Sequence, residues 1–390
     1  MKLEKKSIVE LIMYSIMILI GMFFLTIIPL FFTVLIGGIH YITLIITIAV
    51  VLSVFLTLKV FRFFQTNRHK IIFASIACLA ILVSAISPIK HAYTSSIPTV
   101  DAEVDIYAYE PFSDSNEITI LDDKSTLKLQ DNLPKLDGAT ALYPLYSAFV
   151  QATYPEKEYN PYDSEVMVNT TPDAYDNLMK GEVDMIFAAG PSVTQMNVAK
   201  QKGLELKLTP IGREAFVFFV NQKNKVDGLS LEQIKSIYAG NVTNWEEVGG
   251  DDDKIRAFQR PADSGSQTTL EKLMGDTPIM EAPSEDIASG MGGIINEVSK
   301  YKNYKNSIGY TFRFYSTEMV RNDQIRLLEI DGVAPTKETI RSGTYPITSE
   351  FYIVTAGTDN PNVEILIDWI LSPQGQQLLE KAGYVPIAEQ

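Results

Sequence analysis

Three apolar runs crowd the first 89 residues of this 390-residue chain, at about 8–36, 41–60 and 71–89. Each supplies roughly the 20 residues that a helix needs to cross a bilayer. The front of the chain is therefore expected to form three transmembrane helices. The first run contains Pro29, and its excess length predicts a tilt or a kink. A cleaved signal peptide would show one short apolar region, not three. Ser75-Ile76-Ala77-Cys78 has some of the character of a lipoprotein cleavage box. The apolar run continues past it to Ile89, so Cys78 is read as a small residue inside a span.

Charge sets the expected orientation. Lys2, Lys5 and Lys6 precede the first run, no Lys or Arg lies between the first and second, and Lys59, Arg62, Arg68 and Lys70 fall between the second and third. The excess of positive charge on cytoplasmic loops then predicts a cytoplasmic N-terminus and residues 90–390 outside the cell. Residues 1–89 carry seven basic and two acidic side chains, a net of +5, whereas the whole chain is −14. The remainder is thus −19, an acidic object behind a basic, apolar one. Such a remainder lacks the basic face that nucleic acid requires.

The single cysteine excludes an intrachain disulfide, and the three histidines are His40, His69 and His91. Beyond residue 91 there is neither Cys nor His. A Ser-His-Asp triad, a Cys nucleophile and an ordinary zinc site are thereby removed from the outer part. No enzyme, no metal and no cofactor is expected. There is also no ATP-binding Walker motif, so any energy source would be another subunit.

Residues 90–124 are polar and acidic and read as a linker or a loosely packed collar. From 125 to 390, short apolar strands alternate with helices, which predicts an α/β architecture with largely parallel sheets. Strands are expected at 126–129, 166–169, 183–188, 204–211, 216–221, 255–259, 307–311 and 351–356. Helices are expected at 141–154, 173–180, 231–238, 268–274 and 287–300, with two more closing the chain. This is large for one core, so two lobes are expected: one of about 125–220 plus 346–390, the other of about 221–345. Tyr143, Tyr146 and Phe149 at helical spacing read as core, Asp251-Asp252-Asp253 as a solvated loop, and Arg213-Glu214 as an internal ion pair.

The stretch Arg260–Thr269, RPADSGSQTT, carries the chemistry. Ser264, Gly265 and Ser266 open a helix, where the first backbone N–H groups lack intrahelical partners and the dipole is positive. Gly265 allows close approach, the serines add donors, and Arg260 offers a planar fork for oxygens. That is the chemistry for holding an oxyanion. Two further junctions offer N–H and hydroxyl donors before a helix: Leu136-Asp137-Gly138-Ala139-Thr140-Ala141 and Asn169-Thr170-Thr171-Pro172-Asp173.

Taken in order, these segments resemble the phosphate-binding solute receptors of ABC importers, the PstS-like members of the type II periplasmic-binding-protein superfamily. GAT at 138–140 is similar to the first anion loop and TTPDAYDNLMKGEVDMIFAAGP to the second. PIGREAFVFFVN is similar to the stretch entering the second lobe, and LEQIKSIYAGNVTNWEEVGG to a helix and turn within it. RPADSGSQTT is similar to the third anion loop, and SIGYTF and YPITSEFYIVT to the segments that return to lobe one. The resemblance covers about residues 130–390. It implies a two-lobed, hinged fold with the anion in the cleft, held by Thr140 and Ala141, by Thr170 and Thr171, and by Arg260, Ser264, Gly265 and Ser266.

One position departs from the family pattern. Ala189 stands where the family has an Asp that accepts the hydrogen of a protonated phosphate oxygen, and Asp137 or Asp263 is the candidate to replace it. The resulting expectation is a membrane-anchored extracellular receptor for a small oxyanion, phosphate first, that delivers to an ABC permease. The alternative is an anion sensor or adaptor that relays cleft closure to a membrane partner.

Overall fold

A computed structural model describes residues 7–35, 38–96, 99–100, 104–114, 117–281, 301–302, 304–319 and 323–387. It divides into two compact units, Met1–Pro98 and Thr99–Gln390.

The first unit is helical: α1 (Ile8–Leu35), α2 (Ile42–Val60), α3 (Asn67–Ser84) and α4 (Ile86–Ser96). Thr66 caps α3 by accepting the His69 N–H, the usual use of a threonine at a helix start. α4 continues α3 through Ala85, which keeps a helical backbone. Three helical stretches, Ile8–Leu35, Ile39–Val60 and Asn67–Tyr93, are long and apolar enough to span a membrane, with mean hydropathies of 2.6, 2.6 and 2.4. α2 packs against both α1 and α3, and the His40 and His91 rings stack with centroids 3.5 Å apart.

The second unit opens with β1 (Thr99–Val100), then β2 (Leu136–Gly138), α5 (Tyr143–Thr153), α6 (Thr171–Lys180), β3 (Met185–Ala189), α7 (Val193–Gln201) and β4 (Lys207–Asn221). Next come β5 (Gly228–Leu229), α8 (Leu231–Tyr238), β6 (Arg256–Ala257), α9 (Gly265–Met274), β7 (Tyr301–Lys302), β8 (Ser307–Phe312), β9 (Ile325–Leu327) and β10 (Glu329–Ile330). The chain ends with α10 (Lys337–Arg341), β11 (Thr348–Thr355), α11 (Asn362–Leu371), α12 (Pro373–Lys381) and β12 (Val385–Pro386). The main sheet runs β2-β3-β11-β4-β8-β6, with β9 and β12 also on β4. β2 and β3 are parallel, as are β6 and β8, while β4 is antiparallel to both β11 and β8.

Two different halves hang on β4. Its first part pairs with β11 and its last part with β8. The first half is cored by Tyr143, Tyr146 and Phe149 of α5 with Phe187 and Trp369. The second is cored by Phe216, Phe218, Tyr238, Trp245 and Tyr310. Midway along β4, a Cβ on Gly212 would fall 2.4 Å from the Phe351 ring, and the β4–β11 register shifts between Phe351 and Tyr352. Glycine is what lets that ring lie over the strand.

Several expectations need correction. The main sheet is mixed rather than largely parallel, with β4 antiparallel to β8, β9, β11 and β12. The strands expected at 204–211 and 216–221 are one strand, and α7 and α10 are additional helices. Residues 126–129 form no strand, although Leu129 is buried. Residues 166–169 contribute only the parallel bridges Leu136↔Val166 and Ala139↔Asn169, and the strand expected at 255–259 is reduced to β6. The helix expected at 287–300 lies outside the described residues. Of the two readings of 90–124, packing favours the collar: residues 90–96 complete α4, and Tyr109 and Ile118 are buried in the first core. Short apolar residues spaced by polar ones show no period, so their burial has no sequence signal.

Candidate anion site

Three chain segments meet where the two halves face each other. Residues 166–169 bridge β2 in parallel, and β3 also runs parallel to β2, so the chain leaves all three segments at the same carboxyl edge, where open α/β sheets place their ligands. Thr140 begins a short 3₁₀ turn after β2, and Thr170 caps α6. From the other half, α9 brings its first residue, Gly265, to this edge. A Cβ there would stand 3.3 Å from Thr171 Oγ1 and 3.4 Å from the Ala189 Cβ. The second and third loops thus touch at Gly265, beside the alanine that departs from the family pattern. A cavity of about 30 Å³ lies at this junction, and Ala141, Thr171, Ala189, Glu214, Gly265 and Tyr384 are among its lining residues.

The expected site residues fall into two groups. Ala141, Thr171 and Gly265 line the cavity. Thr140, Thr170, Arg260, Ser264 and Ser266 flank it on the same loops without lining it. Two of these hydroxyls cap helices: Thr170 Oγ1 accepts the Asp173 N–H and donates to Asp173 Oδ2 at 2.5 Å, while Ser264 Oγ accepts the Gln267 N–H. The Arg260 backbone N–H is held by Gln267 Oε1 at 3.1 Å and by the Tyr310 hydroxyl at 2.9 Å, and that hydroxyl also donates to Gln267 Oε1. Buried Tyr310 on β8 therefore fixes the arginine's place in the third loop.

The two candidate carboxylates already have neutral donors. Asp137 is fully buried; its Oδ1 accepts the Gly138 N–H at 2.7 Å, and its Oδ2 accepts the side-chain amides of Asn169 and Asn177 at 2.9 Å each. Burial pushes its carboxyl above the usual range, while these donors pull it back. Asp137 thereby ties the first loop to the second. Asp263 accepts Ser192 Oγ–H at 2.6 Å and sits at φ +63°, a left-handed conformation that Asp tolerates better than most residues.

The structure adds residues that sequence reading passed over. Lys272, half-buried on α9, reaches the Gly190 carbonyl at 3.5 Å, and desolvation lowers its pKa. It lies seven residues after Gly265, on the same helical face, a spacing that could have revealed it. Glu214 and Arg213 do not form the expected pair. Neighbours on a strand point to opposite faces, and the cation acting on Glu214 is Arg313. Tyr384, which donates to the Ala141 carbonyl at 2.7 Å, comes from the far end of the sequence and carries no local signal. Among the described residues, no cluster of His, Cys, Asp or Glu is suited to holding a metal ion. Asp251 is instead paired with Lys225 at 2.5 Å and Lys305 at 2.6 Å.

Residues 132–374 match the family model of the PBP superfamily domain. The chain belongs to the PBP superfamily. Its curated relatives include the phosphate-binding protein PstS of Borreliella burgdorferi, 24% identical over 67% of this chain and 92% of that protein. They also include the PstS of Bacillus subtilis, 31% identical over 44% of this chain and 54% of that protein. Among solved structures, a putative phosphate ABC transporter substrate-binding protein with bound phosphate from Clostridium perfringens is 24% identical, with a TM-score of 0.48, over 65% of this chain and 98% of that one. The superfamily is one of ligand-binding domains rather than an enzyme class, and the match lies within the second unit. The helices of the first unit fit a membrane anchor.

Proposed function

We propose that this PBP-superfamily chain is a membrane-anchored extracellular receptor that binds inorganic phosphate in the cleft between its two halves and hands it to an ABC permease. The observation that carries this reading is the meeting of Thr171 and Gly265, on loops from opposite halves, at one cavity. The PstS relatives favour phosphate over other oxyanions. Thr140, Ala141, Thr170 and Thr171 act from one lobe, about 125–220 with 346–390. Arg260, Ser264, Gly265 and Ser266 act from the other, about 221–345. β4 and β11 serve as the crossing strands. An anion touching donors on both lobes binds the closed form better than the open one, and that difference shifts the population toward closure. Contact-range donors outweigh the distant acidic surface, whose field is screened within roughly 8–10 Å.

The N-terminus lies in the cytoplasm and residues 90–390 outside, an orientation supported by the basic residues before the first span and between the second and third. Thermal unfolding of the full chain in detergent tests binding. Phosphate at about 100 times its Kd stabilises a one-site receptor by about 2.7 kcal/mol, and an equal concentration of chloride leaves the transition in place. No shift with phosphate would remove the receptor reading. Protease added to intact cells tests the topology: cleavage within the outer unit is expected, and full protection would reverse the orientation.

A further inference from the structure

One acidic side chain in the cavity has no role in the three anion loops. Glu214 lies on β4 where that strand crosses between the halves, opposite Ser349 of β11. Its residue is 6% exposed, and it lines the cavity together with Thr171 and Gly265. The carboxyl accepts the backbone N–H groups of Ala215, at 3.0 Å to Oε1, and of Phe314, whereas Oε2 is buried with no hydrogen-bond partner. A buried carboxyl oxygen left in this way is costly unless a proton or a donor meets it. Asp137 and Asp263 already accept neutral donors, and Ala189 has no acceptor. Of the two cavity-lining carboxyls, Glu350 is only partly buried and accepts the Tyr352 hydroxyl, whereas Glu214 is buried with Oε2 to spare.

We infer that Glu214 selects the anion by its protonation state, accepting the hydrogen of a protonated oxyanion when ionised and donating one to any oxyanion when protonated. This rests on the oxyanion reading of the site. Only hydrogen bonds form, and the proton stays within the carboxyl–anion pair. Burial pushes the Glu214 carboxyl up to about 7, Arg313 opposes that rise, and Glu318 adds to it. The titratable and charged groups facing it are Arg313 and Glu318 from the segment after β8, Tyr384 from before β12 and Glu350 from β11. Phosphate keeps at least one hydrogen on oxygen across neutral pH, whereas sulfate has none. Below neutrality, Glu214 donates to either anion. Above it, the carboxylate accepts from phosphate and repels sulfate.

The test is calorimetric titration of the full chain in detergent with inorganic phosphate and with sulfate, at pH 6 and pH 8, in wild type and Glu214→Gln. In wild type the preference for phosphate over sulfate rises at least about tenfold between pH 6 and pH 8. In Glu214→Gln, whose amide donates at both pH values, the preference stays flat. A wild-type preference that does not change with pH overturns the proposal, as does one that changes equally in the variant. Failure of wild type to bind phosphate at either pH would instead defeat the receptor reading itself.

Discussion

Ser192 Oγ donates to Asp263 Oδ1 at 2.6 Å, joining the residue just before α7 in one half of the outer unit to the third loop in the other. Gln195 Nε2 reaches the Asp263 carbonyl at 3.4 Å, and Lys272 Nζ reaches that of Gly190 at 3.5 Å. These three contacts exist only while the halves are together, so they stabilise the closed form with or without an anion. Ser192→Ala removes the hydrogen bond to Asp263, about 1 kcal/mol, and weakens phosphate binding about fivefold. It also removes the cap in which Ser192 Oγ accepts the Gln195 N–H, which lowers stability with or without phosphate. Asp263→Asn keeps an acceptor and the left-handed backbone, and should bind nearly as wild type. Titration of both variants checks this, and equal losses would mean that the charge of Asp263, not its contact with Ser192, matters.

The Arg260 backbone N–H is held by Gln267 Oε1 and the Tyr310 hydroxyl, bonds that any side chain at this position keeps. Arg260→Ala should therefore leave the fold intact while removing a charge-assisted contact of about 1.5–3 kcal/mol, roughly a 10- to 100-fold loss of phosphate affinity. Arg260→Lys retains the charge without the planar fork, and an intermediate affinity is expected. Unfolding curves without anion, superimposable on wild type, serve as the control.

Gly265 tests the meeting of the loops. Its added methyl would sit 3.3 Å from Thr171 Oγ1 and 3.4 Å from the Ala189 Cβ, inside a cavity of about 30 Å³. Alanine suits a helix start better than glycine does, so Gly265→Ala should unfold at or above the wild-type temperature while losing most phosphate binding. Binding at wild-type strength would place the anion elsewhere.

Sequence and structure agree best where pattern and chemistry coincide. The apolar runs of the anchor, α6 behind its proline, and Gly265 at a helix start were all legible because each depends on neighbours along the chain. Their convergence was not. Thr171 and Gly265 are far apart in sequence, and only the bridges of 166–169 to β2 and the passage of β4 between halves bring them together. The polar Arg213-Glu214 pair broke the apolar pattern, so one strand read as two. In the fold, Glu214 is buried by Tyr384 and the chain near Arg313, neither adjacent to it in sequence. Tyr109 and Ile118 were hidden in a polar segment for the same reason: their burial comes from α5 and not from local periodicity.

Glu214 also makes stability depend on pH. Its folded carboxyl is raised from 4.5 to about 7 by burial, so between those values the native state binds more protons than the unfolded chain. Its contribution to stability therefore falls as pH rises from about 4.5 to 7, and levels off above. The shift corresponds to roughly 3 kcal/mol. Denaturant unfolding of wild type and Glu214→Gln should show the variant's relative stability rising by about this amount across that window. A constant difference would mean that the carboxyl is not strained by burial.

Phosphate binding in the cleft is the central claim, and isothermal titration of the full chain in detergent with inorganic phosphate tests it most directly. Saturable binding of one phosphate per chain is expected, weakened at least about tenfold, or 1.4 kcal/mol, by Arg260→Ala. Absence of binding in wild type, or binding indifferent to both Arg260→Ala and Gly265→Ala, would contradict it.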